Sequence, residues 1–164
     1  MSGNSWTLTA DLIKDTLNAW AAGSRFFPGF VAESEPLFDL TAEALQTISV
    51  SVFPASIESV LADRDSEDET QTIAVTVAKH APDAADVRAL VDFMEEIKQF
   101  LTAPENHELD NALGDPLRAC VELQFPVVSD PLFDLNLLRQ SRIYLGGLGL
   151  PYLSQNVFGL PPGP

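Results

Sequence analysis

The chain has 164 residues and sets 9 Lys+Arg against 24 Asp+Glu, a formal charge of −15. So acidic a sequence lacks the Lys/Arg stripe that neutralises phosphates in a nucleic-acid groove, and an anionic membrane leaflet repels it. Its 46% hydrophobic content argues against disorder, which needs low hydrophobicity alongside high net charge.

The length suits one folded domain, expected over residues 1–155. A single cysteine, Cys120, excludes an internal disulfide framework. Residues 1–10 lack the basic start and apolar run of a signal peptide, and no stretch approaches the ~20 apolar residues that span a bilayer. The expectation is a soluble protein.

Helical spacing of Leu12, Ile13, Leu17 and Trp20 predicts a first helix over residues 8–22, capped by Thr7 or Thr9 and closed by Gly23. Residues 25–28 read as an aromatic connector and residues 30–33 as a short strand. Ile48, Val50 and Val52 alternate with Ser49 and Ser51, which predicts a half-buried strand over residues 47–53, ended by Pro54. Residues 72–79 repeat the alternation with Ile73, Val75 and Val77 inward. The two are expected to pair antiparallel across a long acidic loop, residues 55–71.

The clearest helix is expected over residues 83–101. Val87, Leu90, Val91, Met94, Ile97 and Leu101 form its apolar stripe, and Pro104 stops it. Residues 102–115 read as polar loop and residues 119–127 as a strand. A last strand includes residues 142–145 and runs toward Tyr152, weakened by Gly146, Gly147, Gly149 and Pro151. Residues 156–164 read as a flexible Pro/Gly-rich arm. The fold class is therefore α+β: a small, mostly antiparallel β-sheet with an N-terminal helix and one long amphipathic helix packed on it.

One pentapeptide recurs unchanged. Pro36-Leu37-Phe38-Asp39-Leu40 reappears as Pro131-Leu132-Phe133-Asp134-Leu135, each preceded by an acidic residue, Glu35 and Asp130. Each copy leads into a short helical turn and then a strand. Asp39 and Asp134 suit N-caps, so the repeat reads as two similar packing solutions at equivalent edges of one sheet.

The acidic run from Asp63 to Glu69 is the one carboxylate cluster. Asp63, Asp65 and Glu67 match positions one, three and five of a calcium loop. Position six, however, is Asp68 in place of Gly, and position twelve is Ala74 in place of Glu. A solvated loop is the better account. His80, His107 and Cys120 lack metal-ligand spacing, no Gly-x-Ser-x-Gly occurs, and the glycines at 146, 147 and 149 make no phosphate cradle. No catalytic residue, cofactor or metal site is expected.

Four stretches, in order, resemble the tail terminators and related neck proteins of long-tailed phages. The first is residues 36–45 running into the Ile48–Pro54 strand. The second is Arg64, acidic residues, then Ile73-Ala74-Val75-Thr76-Val77-Ala78-Lys79. The third is the helix from Ala89 to Leu101, and the fourth is residues 130–138 followed by a strand toward Tyr152.

The resemblance implies a virion structural protein without enzymatic activity, placed at the head–tail junction and assembled in the host cytoplasm. It implies a homo-hexameric ring that caps the tail tube and meets a neck or connector protein. Glu58, Asp63, Arg64, Asp65, Glu67, Asp68, Glu69, Val157, Phe158 and Leu160 are then candidate subunit or partner contacts. Six copies would carry 6 × −15 = −90, so DNA would pass through the ring without specific binding; repulsion by an acidic wall fades over about 8 Å. The alternatives are a neck or head-completion protein on the connector side and, in another class, a small acidic metal-binding domain.

Overall fold

The computed structural model describes residues 5–37, 39–109, 118–129 and 132–157. Along the chain lie α1 (Ser5–Trp20), β1 (Ala32–Glu33), β2 (Ser49–Leu61), β3 (Ser66–His80), α2 (Ala84–Leu101), β4 (Glu108–Leu109), β5 (Arg118–Leu123), α3 (Leu135–Ser141) and β6 (Ile143–Val157). The strands form one sheet in the order β1-β2-β3-β6-β5-β4. β1 runs parallel to β2, and every other pair is antiparallel. The α+β class follows, with α1 and α2 both on the apolar face of this sheet.

The alternation along β3 decides which face that is. Ile73, Val75 and Val77 are buried beneath the helices, opposite Val52 and Val50 on β2 and Leu150 and Leu148 on β6. Ile13 and Leu17 of α1 and Leu90, Phe93, Ile97 and Leu101 of α2 close the core over them. Trp20 stacks on Phe100 at 4.3 Å and 9°, which joins the two helices. The Glu96 carboxylate adds a polar tie, accepting from Ser24 Oγ at 2.6 Å and from the Arg25 N–H at 2.8 Å.

α2 begins as the sequence predicts, with Asp83 as N-cap accepting from the Asp86 N–H. α1 begins earlier than its pattern suggested, at Ser5, so Thr7 and Thr9 lie inside the helix. β1 shrinks to two residues, held by α1 as well as by β2. Asn18 donates to the Ala32 carbonyl at 3.0 Å and accepts from its N–H at 2.7 Å. Residues 102–115 are not all loop: a 3-10 turn at Pro104–Asn106 and β4 lie within them. β5 ends at Leu123, four residues short of the expected strand.

The largest correction concerns residues 55–71. They form no long loop. β2 and β3 stay paired from Ser49↔Ala78 to Leu61↔Glu67, leaving only a tight turn at residues 62–65. Pro54 lies inside β2, where β1 flanks only Val50 and Ser51, so its missing N–H is tolerated on an open edge. β6 likewise runs unbroken through its glycines and Pro151, paired with β3 over its whole length. Asn156 and Val157 belong to β6, and the rest of the expected arm, residues 158–164, lies outside the described residues.

Candidate functional site

The register of the β2–β3 hairpin places the candidate contact residues one by one. A bulge at Ala55 adds a residue to β2 between Pro54↔Ile73 and Ser56↔Thr72, so the side-chain parity of the strand reverses there. Beyond it, Ser59, Glu69 and Ser154 share the helix-covered face. Glu58, Thr70 and Leu153 share the other face, as do Val60 and Asp68. Glu58, Asp63, Arg64 and Asp65 are exposed, Glu67 and Asp68 are half-buried, and Glu69 is buried. Val157 ends β6 opposite Ser66, and Phe158 and Leu160 lie outside the described residues.

The acidic residues are thus dispersed over two faces and a turn. Glu69 is held by Gln71, whose Nε2 donates to its Oε1 at 2.7 Å. Asp63 works as a turn residue: its Oδ1 accepts from the Asp65 N–H at 2.7 Å. That bond, followed by those from Ser66, holds the Asp63 carboxyl below the usual carboxylate range. Among the described residues no three His, Cys, Asp or Glu side chains gather as a metal site would require. His107 packs edge-on against Phe125, and His80 ends β3 with its N–H bonded to the Leu45 carbonyl.

A feature the sequence hid is the distribution of exposed apolar side chains. Val31, Phe53, Val60 and Leu61 lie along the β1–β2 edge. Phe125, Val128, Leu132 and Leu135 lie along the opposite flank, where Gln124, Val128, Ser129 and Asp134 bond to β6. There Val128 and Gly149 exchange both backbone hydrogen bonds, Ser129 Oγ donates to the Gly147 carbonyl, and the Asp134 N–H donates to the Leu145 carbonyl. The strand expected over residues 119–127 reaches only the start of this segment, and the repeated Leu132 marks its end.

Gly146 explains how the second repeat reaches the sheet. A Cβ at this position would lie 2.6 Å from the Leu132 carbonyl oxygen and 2.6 Å from the Tyr144 hydroxyl. The two repeats pack differently: Phe133 of the second lies against Tyr144 at 5.5 Å while Leu132 and Leu135 stay exposed. Leu37 and Leu40 from the first and Leu137 from α3 cover Ala78, Ile143 and Leu145 on the face of the sheet away from α2. Asp134 caps α3 by accepting from the Leu137 N–H at 2.9 Å. Asp39 instead accepts from the Thr41 N–H, and Thr41 Oγ1 caps the turn by accepting from the Ala44 N–H.

A recess of about 300 Å³ lies between the start of α2 and the end of α3, lined by Pro82, Asp83, Val87, Leu138 and Arg142 among others. Among the described residues no helix is long and apolar enough to cross a membrane. No protein-family model matches the chain, and no curated protein does. The functional reading therefore rests on surfaces and on the order of elements.

Proposed function

We propose that this chain is a virion structural protein, a tail terminator that forms a hexameric ring at the head–tail junction, capping the tail tube and meeting a neck or connector protein. It carries out assembly and no bond chemistry. The observation that carries the reading is the β2–β3 hairpin, a paired strand ribbon ending in exposed Val60, Leu61, Asp63, Arg64 and Asp65. Val60 and Leu61 are 57% and 69% exposed. Large apolar side chains held at the tip of a rigid ribbon suit a protein partner, and the surrounding carboxylates favour one of basic charge.

The order of elements supports the same reading. A turn into a strand, an Arg-containing acidic turn, an alternating strand ending in Lys79, a long helix and a last strand toward Tyr152 follow one another as in the phage family. The pairing that joins them is consistent with that likeness. The test is a Val60→Asp/Leu61→Asp variant in tail assembly, read by electron microscopy. Folded variant with tails of irregular length is the expected result. Tails of normal, uniform length would overturn the reading.

A further inference from the structure

We propose that residues 56–61 of β2 take an extended, basic segment of a partner protein as an added strand. This rests on the reading above and deepens it, since it says how the partner is held at the same hairpin. β1 flanks β2 only at Val50 and Ser51, and among the described residues no strand lies outside β2 beyond them. β2 nevertheless continues to Leu61, paired with β3 on its inner side alone. An edge of this kind turns the N–H and C=O of alternate residues to solvent, ready to pair with another chain.

Folds blunt such edges with prolines, bulges and charges. Here Pro54 and the bulge at Ala55 interrupt the edge just beyond β1. Past them residues 56–61, about 20 Å of strand, stay in regular register with β3.

Their side chains say what shape fits. Glu58, Ser59, Val60 and Leu61 are all exposed. Successive residues of a strand point to opposite faces, so exposed Val60 and Leu61 lie on opposite faces of the sheet. A helix or a flat surface laid on one face would cover one of them and leave the other in water. A strand set alongside β2 brings side chains to both faces at once, as in other peptide complexes that extend a sheet.

Charge sets the chemistry of the occupant. Between Pro54 and Lys79 stand Glu58, Asp63, Asp65, Glu67, Asp68 and Glu69, against Arg64 as the one cation. Glu58, Asp63 and Asp65 are exposed, and none of the three forms an ion pair among the described residues. Lys or Arg at alternate positions of the added strand would stand beside Glu58 as an opposite-charge cross-strand pair. A second copy paired edge to edge through β2 would instead set Glu58 and the acidic turn against like charge.

The test adds a short capped peptide, Lys alternating with Val, to the isotope-labelled full chain and reads amide hydrogen exchange by NMR. Slowed exchange at alternate amides within residues 56–61 is the expected result. The same peptide N-methylated at alternate residues keeps its charge but cannot pair. It should bind about tenfold more weakly, because main-chain bonds supply the affinity in this mode. Equal binding by the methylated peptide, no slowing, or slowing confined to other residues would overturn strand addition. Equal binding by a peptide with Glu in place of Lys would overturn the basic partner. Slowing already present in the free chain and rising with its concentration would make a second copy the occupant and overturn the proposal. The tail-assembly test of the Val60→Asp/Leu61→Asp variant separates the two readings. Irregular tails without slowed exchange overturn strand addition and leave the terminator reading. Uniform tails with slowed exchange overturn the terminator reading and leave the strand site.

Discussion

Phe53 and Val128 close opposite ends of a single row of the sheet, with only Ala74 and Gly149 between them. They are 38% and 51% exposed, so Phe53 still buries more than half of its surface. Phe53→Asp should therefore cost about 1–2 kcal/mol of stability. Urea denaturation checks it.

Gly146→Ala should be far more damaging. The added methyl meets the Leu132 backbone oxygen and the Tyr144 ring, and a backbone atom cannot swing away as a flexible side chain can. Overpacking of this kind costs about 1–3 kcal/mol. Gly147→Ala, where the nearest atom is 3.5 Å away, is the control and should cost less. Midpoints of urea unfolding compare the two.

Two buried tyrosines on β6 set an alkaline limit. Burial pushes the Tyr144 phenol from 10.0 up to about 12 and raises Tyr152 as well. The folded state thus disfavours phenolate relative to the unfolded chain. This contribution to stability is complete below pH 10 and is lost as pH rises from 10 through about 12. Tyr144→Phe should flatten that loss, as measured by urea midpoints between pH 9 and pH 11.5. Tyr152 differs, since its buried hydroxyl has no hydrogen-bond partner among the described residues. Tyr152→Phe should be neutral or stabilise by about 1 kcal/mol at pH 7.

The repeated aspartates should separate on mutation although their sequences are identical. Asp134 caps a helix, so Asp134→Ala should cost about 1 kcal/mol. Asp39 makes one 3.2 Å exposed bond beside a turn that Thr41 caps, so Asp39→Ala should cost less than half as much. Thermal unfolding of the two variants decides it.

Periodicity made the inner part of the sheet legible and failed where the period changed. Val50, Val52, Ile73, Val75 and Val77 alternate without interruption, and the strands they predicted are present. The extra residue at Ala55 shifts the inward positions of β2 from even to odd, so Ile57 no longer fits the pattern that precedes Pro54. On β3 the alternation continues through Glu67, Glu69 and Gln71, residues whose composition reads as solvated loop. Their extended form is fixed by long-range pairing with residues 152–156 of β6. The acidic contact residues were visible as a charged run, but their division between two faces needed the register. The flank at Phe125, Val128 and Leu132 was read only in part, as the end of an expected strand and one copy of the repeat, because it follows β6 through a few specific hydrogen bonds.

The native mass of the unaltered chain is the most direct test of the ring account, measured by light scattering from micromolar to millimolar concentration. The account predicts growth from 17.8 kDa to a plateau at six times that mass, with no larger species, as a closed ring requires. A mass of one chain throughout, or growth without a plateau into open polymers, would contradict it.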